Sequence, residues 1–337
     1  MKIELEKISI EAEDQKVNIK INDDIELPEN LYKYYSLSAR AVESLENKTI
    51  HFGHAFSMND LMDGNFLLWD FNSFLDTFMY EMRLPRSEKR NVHRQLIKDI
   101  SNGFLKYLGY FCLCENYGND LLWTHYTAEQ GYCLEFNREK LLESFKEYQR
   151  YFFPINYNDL QKINLQDYSE KTVVDQKVSI IANIPLFYSI ANKEKFWSYE
   201  KEWRLVIRDE SFTAIENPQV LISDEQKKIQ SQNLKSRNLK VDKDSVNRVI
   251  LATLFFNNDR FNENEQIANK TFRLRFVQND KQKELQKFLT ILMNDFTDKV
   301  CQVEKVVGDD RIFRDIKYKV EILNVTDKFA EIRFLDY

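Results

Sequence analysis

The segment Phe196-Trp197-Ser198-Tyr199-Glu200-Lys201-Glu202-Trp203-Arg204-Leu205-Val206-Ile207 decides how the rest of this 337-residue chain is read. Taken as a β-strand from about Tyr199, its alternation sends Tyr199, Trp203, Leu205 and Ile207 to one face, with Lys201 among them. Glu200, Glu202 and Arg204 go to the other face, away from the core. Two readings of that charged row stand side by side. One is a wet edge whose Glu–Arg pair is worth little; the other is a carboxylate held on a rigid strand at the rim of a pocket.

Outward from this strand, strands and helices are interleaved. Ile3, Leu5, Ile8 and Ile10 alternate with polar residues, as do Val17, Ile19 and Ile21 beyond Glu13-Asp14, so residues 1–27 predict a β-hairpin that Pro28 ends. Residues 31–35 read as an aromatic strand. Ser36 or Ser38 then caps a helix whose apolar positions are Leu37, Ala41, Val42 and Leu45, and a strand follows at 49–52. Residues 66–110 read as mostly helical, from the spacing of Leu67, Phe71, Phe74 and Phe78 and of Val92, Leu96, Ile100, Phe104 and Leu108. A strand is predicted at 110–114, a turn at Gly118-Asn119, a short helix at 121–128, and a strand at 131–136 running into a helix opened by Asn137. Residues 155–180 and 222–248 are polar and weakly patterned. Strands at 249–256 and 271–277, a helix at 281–295 and two or three β-segments from 311 complete the chain.

Seven glycines exclude the familiar phosphate cradles, because neither G-x-G-x-x-G nor G-x-x-x-x-G-K-[ST] occurs. A net charge of −6 removes any global case for nucleic-acid binding and leaves only local basic patches. Four cysteines are too few for a disulfide-stapled secreted fold, and the N-terminal Met-Lys-Ile-Glu-Leu-Glu lacks the layout of a signal peptide. No run of about 18 apolar residues supports a membrane span. The expectation is a cytoplasmic protein without membrane contact.

Three further clusters bear on chemistry. Trp123-Thr124-His125-Tyr126, followed by the segment 131–136, supplies stacking surface with polar tips, suited equally to a planar ligand and to a core. His51, His54, Asp60 and Asp63 have the donors of a divalent-metal site and raise a metal-dependent nuclease as one alternative, while Cys112, Cys114, His125 and Cys133 have zinc donors at the wrong spacing. No metal is expected. In 83–98, Arg83, Arg86, Lys89, Arg90, Arg94 and Lys98 outnumber the acids; the segment reads either as a solvated helix face or as a surface for phosphate.

Four short motifs recur in order: Tyr32-Lys33-Tyr34; Phe56-x-x-Asn59-Asp60; Trp123-x-His125-Tyr126 with 131–136; and Lys195-x-Trp197-x-Tyr199-Glu200-x-Glu202-Trp203-Arg204. Over roughly residues 30–260 they resemble the bacterial family called domain of unknown function 2971. More distantly, the layout resembles the ADP-ribosyltransferase superfamily. That resemblance implies an α+β fold with a central, mainly antiparallel split sheet flanked by helices. Its divisions are a β-hairpin extension at 1–27, a catalytic core at 28–280, and a C-terminal helix and β-extension at 281–337. It also implies transfer of ADP-ribose from NAD, as substrate, to a nucleic-acid or protein acceptor, in a toxin or anti-phage setting with an antitoxin or defence partner. Glu202, with Glu200 and Tyr126, takes the catalytic positions. Tyr32, Lys33, Tyr34, Asn59, Asp60, Trp123, His125 and Arg204 take the NAD-binding ones. Lys33 stands where the superfamily has His or Arg. On this mapping Glu202→Gln abolishes transfer and leaves the melting temperature nearly unchanged. The alternative is a non-catalytic binding or regulatory module that meets its partner through the basic segment 83–98.

Overall fold

The computed structural model describes the chain except residues 14–15, 55–57, 59, 61, 104–106, 175–176, 213–236, 258, 280–281 and 308–311. The fold is mixed α+β. The chain forms two compact units: Met1–Leu27, His51–Cys112 and Glu147–Leu239 make the first, and Pro28–Ile50, Leu113–Lys146 and Lys240–Tyr337 the second.

In the first unit, the N-terminal segment forms three antiparallel strands, Lys2–Glu4, Ile8–Glu13 and Lys16–Ile21, where the sequence predicts two. The extra turn is local: the Leu5 amide donates to the Ile8 carbonyl at 2.8 Å, and the Asn22 side chain donates to the Leu5 and Glu6 carbonyls. Ile8, Ile10 and Ala12 are buried in the same core as Ile184, Phe187 and Ile190. Those last three belong to the helix Asn183–Ala191, which is buried along its whole length. A helix buried on every side has no polar stripe, so periodicity does not announce it.

The long helical reading of 66–110 resolves into a 3-10 turn at Phe66–Leu68, a strand at Trp69–Asp70, and helices at Asn72–Glu81 and Lys89–Gly103. Arg83, at φ 53°, breaks the helical path between the two helices. Leu67, an inward position on the helical reading, is 60 % exposed because the 3-10 turn gives it a different direction. The polar stretch 155–180 carries short pairings, among them Asn156–Asn158 with Asn192–Glu194 in parallel. The strand Glu202–Arg208 pairs antiparallel with Gln149–Pro154.

The second unit holds a large, mainly antiparallel sheet. Its order is Phe261–Ala268, Thr271–Phe276, Phe329–Asp336, Ile312–Val325, Val300–Val307, Val246–Leu251, Tyr132–Asn137 and Asn30–Tyr35. Among these neighbours, Val246–Leu251 and Val300–Val307 run parallel, and the other pairs are antiparallel. The helix Ala39–Glu46 starts where the sequence places a cap, with the Ser38 side chain accepting from the Ala41 amide. Asn119 and Asn137 cap Asp120–Thr127 and Arg138–Glu143 in the same way. The helix Gln282–Asp295 buries Leu285, Phe288, Leu289, Ile291 and Leu292. Among the described residues, no helix is long and apolar enough to cross a membrane.

Candidate active site

Glu202 opens its strand directly after a change of backbone path. Lys195–Glu200 forms a 3-10 turn, and Lys201 takes a left-handed conformation, φ 43° and ψ 54°. Alternation therefore starts at Glu202. As predicted, Glu202 and Arg204 share one face, and Trp203, Leu205 and Ile207 the other. The row is not wet, however. Glu200, Glu202 and Arg204 are 6, 4 and 1 % exposed, because both faces of this strand are covered.

What permits that burial is a closed set of charges. Arg204 forks onto Asp63, with Nη1–Oδ1 at 2.5 Å and Nη2–Oδ2 at 2.6 Å, while its Nε donates to Glu202 Oε1 at 2.7 Å. Arg204 Nη1 also donates to the Ile190 carbonyl at 2.7 Å. Lys193 Nζ donates to Glu202 Oε2 at 2.5 Å and to Glu200 Oε2 at 2.8 Å, and lies 4.0 Å from Asp63 Oδ2. Three carboxylates thus enclose two cations. The backbone of Glu202 is fixed as well: its amide donates to the Tyr157 hydroxyl at 2.8 Å, and its carbonyl accepts from the Ile155 amide at 2.9 Å.

Asp63 reaches this set from a tight turn. Asp60 Oδ1 accepts from the Met62 amide, the Asp63 amide donates to the Asp60 carbonyl, and Gly64 takes φ 62° while its amide donates to the Ser189 carbonyl. The left-handed position at Gly64 suits a residue without Cβ. Among the described residues, Asp60 Oδ2, the Tyr110 hydroxyl and the Trp197 indole N–H are buried without a hydrogen-bond partner. Tyr110 feels the charges of Arg204 and Asp63, and the Trp197 ring lies 5.5 Å beneath Lys193 Nζ.

Burial by itself raises a carboxyl, but Arg204 and Lys193 overcome that at Glu202 and hold it below the usual carboxylate range. At Asp63 burial prevails and the group is pushed up, with Arg204 and Lys193 pulling against it. Desolvation lowers Lys193, yet Glu202, Asp63 and Glu200 together raise it and keep it charged. Between Glu202 and Asp63, it is Glu202 that this network holds as an anion.

A pH dependence follows from the sign of that shift. A carboxylate depressed in the folded state stabilises fully above its ordinary value of 4.5, and this contribution is lost as pH falls toward the folded value. The stability difference between the wild type and Glu202→Gln is expected to be largest near pH 7 and to shrink below about pH 4.5, as followed by urea unfolding. A difference that stays constant down to about pH 3 would show that the folded protein does not hold Glu202 ionised.

Of the other residues proposed to act on NAD, Tyr32, Lys33, Tyr34, Trp123, His125 and Tyr126 lie in the second unit, while Asn59 is outside the described residues, as is Phe56. Tyr34 and Trp123 come together edge to face, with centroids 4.9 Å apart. Both are buried; Tyr34 donates its hydroxyl to the Asn116 carbonyl, and the Trp123 indole donates to the Tyr117 carbonyl at 2.6 Å. Tyr32 shares their side of the strand and packs against Tyr117 beside the Glu135–Arg248 ion pair. Lys33 is directed to the opposite side by the same alternation. On the helix Asp120–Thr127, His125 is exposed and Tyr126 half-buried. Among the described residues, no three His, Cys, Asp or Glu side chains group as a metal ion would require. Asp63 is committed to Arg204, and His51 Nδ1 is paired with Asn238 Oδ1 at 2.7 Å.

Lys193, Tyr157 and the bonding of Asp63 to Arg204 escape sequence reading. Asp63 lies 141 residues from its partner, and nothing in the text of the chain joins them.

Residues 122–205 match the family described as protein of unknown function, DUF2971. The matched segment includes Trp123, His125, Tyr126, Lys193, Glu200, Glu202 and Arg204, and it ends inside the strand that carries the charge network. No curated protein and no solved structure matches the chain.

Proposed function

We propose that the buried carboxylate centre of the first unit serves glycosyl transfer from NAD, with Glu202 as the acting carboxylate and an ADP-ribosyltransferase-like arrangement around it. One observation supports this reading above the others: Glu202 is held as an anion at the head of a rigid strand, in surroundings that exclude water. Cleavage of the nicotinamide–ribose bond develops positive charge at the anomeric carbon, as in glycoside hydrolysis. The bond's electron pair leaves with nicotinamide, which departs neutral. The acceptor's lone pair then forms the new bond to that carbon, and the acceptor's proton passes to solvent water. A preorganised carboxylate stabilises the cationic state and needs no general acid beside it.

For Glu202 to meet a ribose hydroxyl, Oε2 must exchange Lys193 for the substrate. Lys193 already has Glu200 at 2.8 Å and Asp63 at 4.0 Å, so the ammonium retains anionic partners when it lets go. Incubation with labelled NAD and either nucleic acid or cell protein is expected to release nicotinamide and label the acceptor, and Glu202→Gln to abolish both. An intact wild-type fold that releases no nicotinamide would sink the reading.

A second reading is favoured by the saturation of Glu202, whose two oxygens already accept from Arg204 and Lys193. On that reading the network is a clasp that ties the turn at Asp63 and the segment Asn192–Glu194 to the strand. Either way, neutralising a carboxylate buried between two cations is expected to lower stability, against the expectation of an unchanged melting temperature.

A further inference from the structure

The helix Lys89–Gly103 is an exposed charged surface on one side and core on the other. Leu96 and Ile100 are buried, and Val92 and Ile97 pack partly against the same core. The opposite side shows Arg90, Arg94 and Lys98, preceded by Arg86 in the 3-10 turn Arg86–Glu88, and all four are exposed. They recur every four residues, so along the helix successive charges are about 6 Å apart, from a rise of about 1.5 Å per residue. Arg83, also exposed, extends the row.

Neighbouring acids offset it only in part, since Glu81, Glu88 and Asp99 stand against Arg83, Arg86, Arg90, Arg94 and Lys98. Asp76 is bound to Lys89 at 2.6 Å, Glu88 accepts from the Asn91 side chain at 2.8 Å, and Asp99 accepts from the Gln95 side chain at 2.7 Å. Among the described residues, none of Arg83, Arg86, Arg90, Arg94 and Lys98 is held by a carboxylate. At the Arg83 end stands Tyr80, 87 % exposed, with Met82 and Leu84 also open at 38 and 37 %. In a chain of net charge −6, this is a local concentration of positive charge with an aromatic ring at one end.

We propose that this row binds single-stranded nucleic acid, with Arg86, Arg90, Arg94 and Lys98 on successive phosphates and Tyr80 stacking on a base beside Arg83. Regular spacing of single charges fits a polymer with one anionic group per repeat, and an exposed ring fits an unpaired base with its face open. An acidic peptide would gain nothing from Tyr80, and a duplex hides its base faces. The binding stands without the transferase reading; that the bound strand is also the acceptor rests on it.

The experiment measures anisotropy of a labelled twenty-nucleotide single strand, as RNA and as DNA, with the full chain and no NAD. Duplex, polyglutamate and phosphatidylserine vesicles are the comparison arms. Single strands are expected to bind, with a log–log salt slope near −3, from about −0.7 per phosphate contacted. The triple change Arg86→Glu, Arg90→Glu, Arg94→Glu is expected to weaken binding at least tenfold, and each single Arg→Gln change to reduce the slope by about 0.7. Tyr80→Ala is expected to weaken binding severalfold with the slope unchanged. No single-strand binding, tighter binding to vesicles or polyglutamate, or indifference to the single Arg→Gln changes would each overturn the proposal.

Discussion

Arg204→Met is expected to destabilise the first unit by about 3–5 kcal/mol, the range for removing one partner of a buried ion pair. The methionine refills the apolar volume but leaves Asp63, Glu202 and the Ile190 carbonyl without the donors that face them. The two carboxylates then confront each other with only Lys193 between them, in a site closed to water. Arg204→Lys should recover little, because one ammonium cannot reproduce a fork on Asp63 together with a third donor on Glu202. The double change Asp63→Asn with Arg204→Met should be less costly than the sum of the single changes, since each single change leaves a charge without its partner. Urea unfolding of the four proteins measures this. A loss below about 1 kcal/mol for Arg204→Met would show that the network is open to water, as exposed pairs are.

This result separates stability from activity. If Glu202 acts on substrate, Arg204 orients it through Nε and is a positioning residue; Arg204→Lys, where it folds, should then change the rate of NAD cleavage. If the network is only a clasp, that variant loses stability and has no rate to change.

The parts of the fold that the sequence made legible are those whose signals are local. The caps at Ser38 and Asn137, the strand Asn30–Tyr35 and the helix Gln282–Asp295 each rest on residues a few positions apart. The helix Asn183–Ala191 was hidden because burial on all sides removes its period, and the third N-terminal strand because Leu5 continues an alternation that the backbone abandons. At the candidate site, alternation correctly joined Glu202 and Arg204 on one face but gave the wrong surroundings, since a charged row on a strand normally marks water. Asp63 and Lys193 cover it, and one lies far away while the other is an unremarkable Lys between Asn192 and Glu194. Charge complementarity at a distance leaves no pattern in a single chain. Tyr34 and Trp123 show the converse: residue types suited to stacking on a ligand pack edge to face on each other.

Gly131→Ala should be as damaging as the loss of Arg204, for a reason the glycine's place in the sequence does not reveal. A turn-former next to a strand suggests backbone freedom, yet the described positive-φ glycine is Gly64 and not Gly131. What Gly131 requires is space. A Cβ there would lie 2.1 Å from the Tyr35 carbonyl oxygen and 2.9 Å from Thr127 Cβ. The first is a backbone atom of the strand Asn30–Tyr35, at the end where Tyr35 pairs with Tyr132 and their rings stack 5.3 Å apart. It cannot swing aside as a side chain could, so the strand must move. Moving it strains the Tyr35–Tyr132 pairing and the bond from the Ala252 amide to the Gly131 carbonyl at 3.0 Å. The expected loss is about 3 kcal/mol or more, at the upper end of overpacking. Gly118→Ala is the matched control, since its Cβ would meet nothing nearer than the Arg314 carbonyl at 3.8 Å. That change should stay within about 0.5 kcal/mol, as surface substitutions do. Thermal melts of the two variants decide the matter: similar shifts would mean that the end of the strand Asn30–Tyr35 yields at Tyr35, whereas a collapse confined to Gly131→Ala places the constraint in the approach of two backbones.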